Sequence, residues 1–488
     1  MGRTEPIYLP DDTARHVAVN ALLDFEHDGE RIRESLSQRF EASKLQAGDR
    51  RLASELAYGS CRRLITLDHL IVHYARRQIR RIDTTILQIL RVGIYQLLFQ
   101  SASADYASVD QAVRQAKLVA RGKAAPFVNA VLRSLQRDLQ GAGSTDNPNG
   151  AEQQVNQDDA TRSEPGIDAL PARVFPDPAK QPAKALSRRH GLPLWLVERW
   201  LKHFAEDEFL QIAIACNHRP PLTLRCHIER CTVDQLQSLL EEGGYACRRQ
   251  GDLLLLESSA QPTGLPGFQE GFFVAQDVTA ASAVDSLPLE PGQVVLDRCA
   301  APGGKTAQLA TRVGPTGRVV ACDVSPDKLA MIRQTAQRLG LNNIRTCLPE
   351  ELDRMRPDGG FDAILVDAPC SNTGVLARRV EVRHRLKPND LRKCQKIQLE
   401  LLSDAASCLK SDGYLLYSTC SIDRLENESV VEAFLIRHPA FTCKDRRLTL
   451  PCYTVDGCIP RSDNVDTRWS EGGFVALLQH GNCSSDSN

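Results

Sequence analysis

The chain has 488 residues, 42% hydrophobic and 25% charged, an ordinary globular composition too long for one compact domain and suited to about three. Sixty Lys and Arg stand against sixty-one Asp and Glu, and the net charge of −1 excludes a uniformly basic nucleic-acid coat and leaves only local basic surfaces. No apolar run approaches the ~18 residues of a membrane span, and the opening MGRTEPIYLPDD lacks the pattern of a secretion signal, so a soluble, cytoplasmic protein without a membrane partner is expected.

Residues 1–140 are expected to be an all-α bundle. Apolar residues recur at helical spacing in Ile86, Leu87, Ile89, Leu90, Ile94, Leu97 and Leu98, and again in Val128, Val131, Leu132 and Leu135. From 31 to 140 nineteen Lys and Arg face nine Asp and Glu, with the quartet Arg76, Arg77, Arg80 and Arg81. This local excess is either an RNA-facing surface or a solvated helical face. Residues 141–185 are rich in Gly, Pro, Asn, Gln and Asp and read as a linker, disordered in its first half. Order is expected to resume over 186–275 as a small α+β module. There LPLWLVERWLKHF has amphipathic spacing, and PPLTLRCHI and GDLLLLES read as short strands around a helix at 233–242.

The remainder, 276–481, alternates strand and helix patterns and predicts a doubly wound, Rossmann-like α/β sheet, whose ligands lie outside the carboxyl ends of the strands. The first strand runs into DRCAAPGGKTAQLA. Its paired glycines let the backbone approach a ligand, and the following helix supplies free N–H groups. The loop is neither a dinucleotide fingerprint nor a Walker loop, so alone it specifies a nucleotide-like ligand or a structural turn. Asp323 ends the second strand in VVACDVSPDKL, placed to accept ribose hydroxyls or to cap the next helix.

Sixteen cysteines in a chain without an export signal are expected to be reduced thiols. None is spaced as CxxC and no HExxH occurs, so no metal is expected. Two cysteines close strand patterns, in AILVDAPCSNTGVL and LLYSTCSIDRLENES. If those strands are neighbours, Cys370 and Cys420 share one sheet edge with the Gly-rich loop. A lone buried cysteine is most often a small hydrophobe; two before serines at strand ends are harder to read that way.

In order and separation, DRCAAPGGK, VDAPCSNTG and STCS resemble the RNA cytosine-C5 methyltransferases of the Sun group, which use S-adenosylmethionine. PFVNAVLRSL and ILRVGIYQLLF make the helical domain similar to the NusB antitermination factor. This combination is the layout of the RsmB (Fmu/Sun) type acting on 16S ribosomal RNA of the small subunit. The resemblance implies that Cys420 attacks C6 of the target cytosine and that Cys370 helps release the product. It places the cofactor on Cys299, Ala300, Ala301, Pro302, Gly303, Gly304 and Lys305, with Asp323 on the ribose. Asp367 serves both the cofactor site and the base, and Arg378 and Arg379 are candidate RNA phosphate contacts.

The chain departs from that family in places. After the third strand Cys347 and Leu348 stand where the family has Gly-Asp for the adenosine, with Glu350 or Glu351 as substitutes. In VLARRVEVRHRLKP, Val380 and His384 replace an expected Pro and Trp, which alters how flanking RNA is held. The segment 449–470 is longer and more polar than the family pattern. Two other functions stay open: a transfer-RNA cytosine-C5 methyltransferase, and a ribosome-assembly factor without catalysis. A monomer is expected, since no coiled-coil heptads appear.

Overall fold

Periodic apolar residues fold the first half of the chain into helices because only one face of each needs burial. A computed structural model describes residues 5–100, 105–119, 124–141, 164–256, 260–453 and 469–481. It forms two compact units: residues through His218 together with Arg379–Arg385, and Arg219–Arg378 together with everything from Leu386 onward.

The first unit carries α1 (Ala14–His27), α2 (Ile32–Ala42), α3 (Ala47–Ala75), α4 (Thr84–Phe99), α5 (Asp105–Val119) and α6 (Ala124–Gly141). Helix α4 starts where the Asp83 side chain accepts from the backbone N–H groups of Thr85 and Ile86 at 3.0 and 3.1 Å, satisfying donors the helix leaves open. Its apolar face joins Val128, Val131, Leu132 and Leu135 of α6 in one core. Gly59 of α3 is required by close approach, since a Cβ there would lie 2.0 Å from the Tyr95 ring. Arg91 of α4 is 1% exposed and donates to Asp68 of α3 at 2.7 Å and Glu26 of α1 at 2.6 Å, so one buried cation pins three helices.

The first half of the segment expected to be a disordered linker lies outside the described residues. Its second half is packed: Ile167, Leu170 and Val174 are buried in the helical core, and Glu164 pairs with Arg63. Further helices α7 (Pro182–His190), α8 (Leu194–Trp200) and α9 (Glu206–Ala215) belong to this unit. The amphipathic segment expected to open the α+β module therefore groups with the helices before it.

The second unit begins with β1 (Leu222–Cys226), α10 (Val233–Glu242), β2 (Cys247–Gln250), β3 (Leu253–Leu256) and β4 (Phe273–Ala275), whose sheet has the order β2-β3-β1-β4. Strand β3 is four consecutive leucines because both faces are covered. Leu254 and Leu256 meet Leu224, Leu236 and Leu240, while Leu253 and Leu255 meet Ala281 and Trp469.

The larger sheet follows α11 (Val278–Asp285). It contains β5 (Val294–Asp297), α12 (Gly304–Val313), β6 (Arg318–Cys322), α13 (Pro326–Leu339), β7 (Ile344–Cys347), β8 (Phe361–Asp367), α14 (Pro388–Ser407), β9 (Leu409–Thr419), α15 (Glu428–Arg437), β10 (Phe441–Thr449) and β11 (Gly473–His480). The order is β10-β11-β9-β8-β5-β6-β7. All pairs are parallel except those made by β11, which runs antiparallel to both β10 and β9. The chain reverses direction across the sheet between β5 and β8, which opens the crevice where such sheets bind ligands.

Candidate active site

The Gly-rich loop leaves β5 at Asp297, which is buried, accepts from the Thr306 hydroxyl at 2.7 Å and is pushed up to about 7 chiefly by burial. Gly303 has φ +105° and begins α12; a Cβ there would press on Ile332 at 3.1 Å. This bare turn leaves the amino end of α12 open to a ligand. Asp323, just past β6, accepts from the backbone N–H of Ala301 at 3.3 Å and of Ser325 at 3.1 Å. It thus ties the Gly-rich loop to the residue before α13, while the cap of that helix is Ser325, whose hydroxyl accepts from the Lys328 N–H at 3.4 Å.

Strands β8 and β9 are neighbours, with Asp367 opposite Ser418. This brings together the two cysteines that the sequence placed at strand ends: Cys370 Sγ lies 3.0 Å from Cys420 Sγ. The hydrogen bond with Cys420 and then burial push the Cys370 thiol well above its usual range, so Cys370 keeps its proton. Asn372, at φ +60°, accepts from the Cys420 thiol at 3.3 Å and donates to the Cys370 carbonyl at 2.8 Å.

Asp367 is 2.7 Å from Lys305 Nζ. Burial alone would lower the Lys305 ammonium, but Asp367 outweighs it and raises it. Sequence reading assigned Lys305 to the Gly-rich loop and missed this pairing, because the two residues lie far apart in the chain and meet only in the fold. A small open cleft of about 70 Å³ lies here, lined by Lys305, Asp367, Cys420, Asp277, Glu471 and Arg447 among others.

The other expected site residues are placed differently. Arg378 donates from Nε to Glu471 at 2.5 Å and lies 3.7 Å from Asp277, so the candidate phosphate contact is engaged in an internal ion pair. Arg379 is exposed. Val380 is buried within the helical unit and His384 is half-buried there. The intervening Arg383, 1% exposed, donates to the carbonyls of Arg62 and Cys216 and to Asn217 Oδ1 at 2.9, 2.7 and 3.0 Å. His384 Nε2 donates to the Cys61 carbonyl at 2.7 Å. Within the stretch read as an RNA-holding loop, Val380 and Arg383 are thus interior residues. Glu351 accepts from the Leu348 N–H at 2.8 Å as a helix cap, and Glu350 is exposed. Most of the long polar segment after 449 lies outside the described residues. Sequence reading also missed Asp297 and Glu426, both buried carboxylates whose surroundings no local motif reveals.

A doubly wound sheet with a bare glycine turn after its first strand and a carboxylate after its second defines a Rossmann-like enzyme of the nucleotide-cofactor class. Comparison with known proteins narrows it. Residues 284–469 match the family "16S rRNA methyltransferase RsmB/F", 12–137 match the NusB family, and 192–260 match the ferredoxin-like domain of RsmF/B-like methyltransferases. The chain is 32% identical to ribosomal RNA small subunit methyltransferase B of Pseudomonas putida, covering 81% of this chain and 83% of that protein. It is also 32% identical to the protein of that name from Erwinia tasmaniensis, covering 89% and 92%. A probable ribosomal RNA small subunit methyltransferase B of Bacillus subtilis is 29% identical over 88% of this chain and 89% of that one. Among solved structures, PH0851 shares the fold at TM-score 0.68 and 23% identity over 97% of this chain and 100% of that one. A methyltransferase homologue from Pyrococcus horikoshii has TM-score 0.51 and 26% identity over 62% and 100%. The chain belongs to the RsmB/F family of methyltransferases, and its cofactor is S-adenosylmethionine. The residues present fit that group, with the amino end of α12 following a Gly303–Gly304 turn and Asp323 bonded to the same loop. Among the described residues no helix is long and apolar enough to cross a membrane.

Proposed function

We propose that the protein methylates C5 of a cytosine in small-subunit ribosomal RNA through a covalent bond between Cys420 and C6 of the base. The observation that carries this reading is the 3.0 Å approach of Cys370 and Cys420 beside the Asp367–Lys305 pair. Cytosine C5 is a poor nucleophile until a thiolate adds at C6 and turns the ring into an enamine. Cys420 faces the cleft and forms that bond, while Cys370 retains its proton beside it. Asp367, oriented by Lys305, meets the N3 and exocyclic amine edge as charge moves onto the ring. Residues 299–305 and Asp323 hold S-adenosylmethionine, which supplies a methyl group made electrophilic by its sulfonium. After the C5 proton is lost to a base, the Cys420–C6 bond breaks and Cys370 assists that release.

The base must leave its stack to reach the cleft, so an RNA loop or distorted helix is the substrate. The protein acts as a cytoplasmic monomer on this reading, and Arg379 with the basic face of the helical unit holds phosphates. Incubation with tritiated S-adenosylmethionine and protein-free small-subunit ribosomal RNA, followed by nucleoside analysis, is expected to give labelled 5-methylcytidine. Label appearing only on transfer RNA would move the substrate. S-adenosylmethionine binding without transfer to either RNA would point to a partly assembled subunit as substrate, and loss of both transfer and binding would favour an assembly factor, the reading that the Cys347–Leu348 departure raises.

A further inference from the structure

Behind the two thiols lies a polar cluster for which the reaction above has no use. Glu426 is 0% exposed, yet four donors converge on its carboxylate, which is the full acceptor capacity of that group. Oε1 accepts from the backbone N–H of Ser371 at 2.8 Å and from Gln398 Nε2 at 3.1 Å. Oε2 accepts from the Ser421 hydroxyl at 2.6 Å and from the Ser371 hydroxyl. Ser371 follows Cys370 and Ser421 follows Cys420, so one carboxylate grips both cysteine loops one residue beyond each thiol. Thr373 extends the grip, lying 2.9 Å from Ser421 Oγ and accepting from the Ile422 N–H at 3.1 Å. Glu426 is itself held, because its carbonyl accepts from the Tyr417 hydroxyl at 2.5 Å.

We propose that Glu426 is a positioning residue that sets the approach of Cys370 to Cys420 by binding the loops after β8 and β9 to one buried carboxylate. Two loops ending separate strands have no covalent reason to keep their thiols at contact distance. Buried donors on both loops that share one acceptor supply that reason, since releasing either loop leaves unpaired polar groups in the interior. The charge of Glu426 also helps keep the proton on Cys370. The consequence for catalysis rests on the roles given above to the two cysteines; the geometric claim does not.

The test therefore has two readouts on the full-length protein. The first is the rate at which diamide, by taking two hydrogens, joins Cys370 and Cys420 in a disulfide, followed by peptide mass spectrometry. Glu426→Ala is expected to slow this about tenfold, and Ser421→Ala, which removes one donor without emptying the site, about threefold. Glu426→Gln is expected to recover most of the rate, because serine hydroxyls can accept from its amide as well as donate to its oxygen. The second readout is RNA methylation. Glu426→Ala is expected to lose about a hundredfold in kcat, with KM for RNA and S-adenosylmethionine within about threefold, and to accumulate a denaturation-resistant protein–RNA adduct because release is impaired. Wild-type diamide rates in both Glu426→Ala and Ser421→Ala would overturn the proposal. So would a Glu426→Gln variant no better than Glu426→Ala, since a purely structural loss gives no such rescue. If Glu426→Ala does not fold, Ser421→Ala against wild type decides. If wild-type protein methylates no RNA, the proposed reaction falls while the diamide rates still judge the clamp.

Discussion

The two ends of the loop that follows the Asp367-Ala-Pro-Cys370 turn are anchored by opposite chemistry. Near its start a buried carboxylate, Glu426, collects N–H and O–H donors from Ser371 and Ser421. Near its end a buried guanidinium, Arg383, gives donors to the carbonyls of Arg62 and Cys216 and to Asn217. An acceptor that gathers donors fixes the groups around it with respect to one another, which suits a pair of reacting thiols. A cation that donates at once to a carbonyl within α3 and to one at the end of α9 ties helices to one another, which suits a scaffold. The comparison teaches that, on the proposed reaction, one loop serves chemistry in its first residues and architecture in its last.

The largest effects should come from the chemical end. Cys420→Ala is expected to lower methylation by about a thousandfold or more while S-adenosylmethionine binding, followed by calorimetry, stays near wild type; retained turnover would remove Cys420 from the nucleophile role. Cys370→Ala is expected to trap the covalent adduct, seen as a band shifted on a denaturing gel, and free turnover without such a band would break the division of labour between the thiols.

The architectural end should answer in stability. Arg383→Ala removes buried hydrogen bonds to Arg62, Cys216 and Asn217, and about 3 kcal/mol of unfolding free energy should be lost from the helical unit in urea titrations. A loss confined to RNA affinity would instead return the loop to the substrate. A smaller effect concerns acid. Burial, then Arg383, lowers His384 to about 3, and burial lowers His218 to about 4, both below the unfolded value of ~6.5. Their stability is present above that value and is lost as pH falls from ~6.5 toward the folded values, so the helical unit should melt earlier at pH 5 than at pH 7. His384→Gln, which can still donate to Cys61, should flatten that slope.

The opposite sign is expected from Asp297, raised to about 7 by burial. Its contribution is present below the unfolded pKa of ~3.9 and lost as pH rises through 7. Asp297→Asn should therefore raise the melting temperature at pH 8 relative to pH 5, by roughly 2 °C.

Much of this was legible in the sequence, and the pattern of success is physical. The helices of the first unit, the leucine strand and the alternation of the larger sheet announce themselves through periodicity. The Gly-rich turn and the two cysteines announce themselves through short strings of adjacent residues. What stayed hidden depends on tertiary burial. Arg383 in VEVRHRLKP reads as a charge on a basic surface loop, because the sequence does not say which arginine finds carbonyls to fill. Glu426 in RLENES reads as a polar residue between strand and helix, because its partners lie at 371, 398 and 421. The packing of 164–174 against the helical core was masked by a composition typical of linkers, although Ile167, Leu170 and Val174 carry the contacts.

The leucine strand has a consequence for the order in which the protein is made. One face of β3 is covered by residues close in sequence, but Leu253 and Leu255 lie against Ala281, Ala377 and Trp469. While synthesis proceeds, that face has to wait for a tryptophan near the carboxyl terminus, with its apolar surface open to water or to a chaperone. A fragment stopped at 275 would carry the exposed pair permanently and should be sticky at concentrations where the whole chain is not. The small sheet is thus a late-finished part of the molecule despite its early place in the chain.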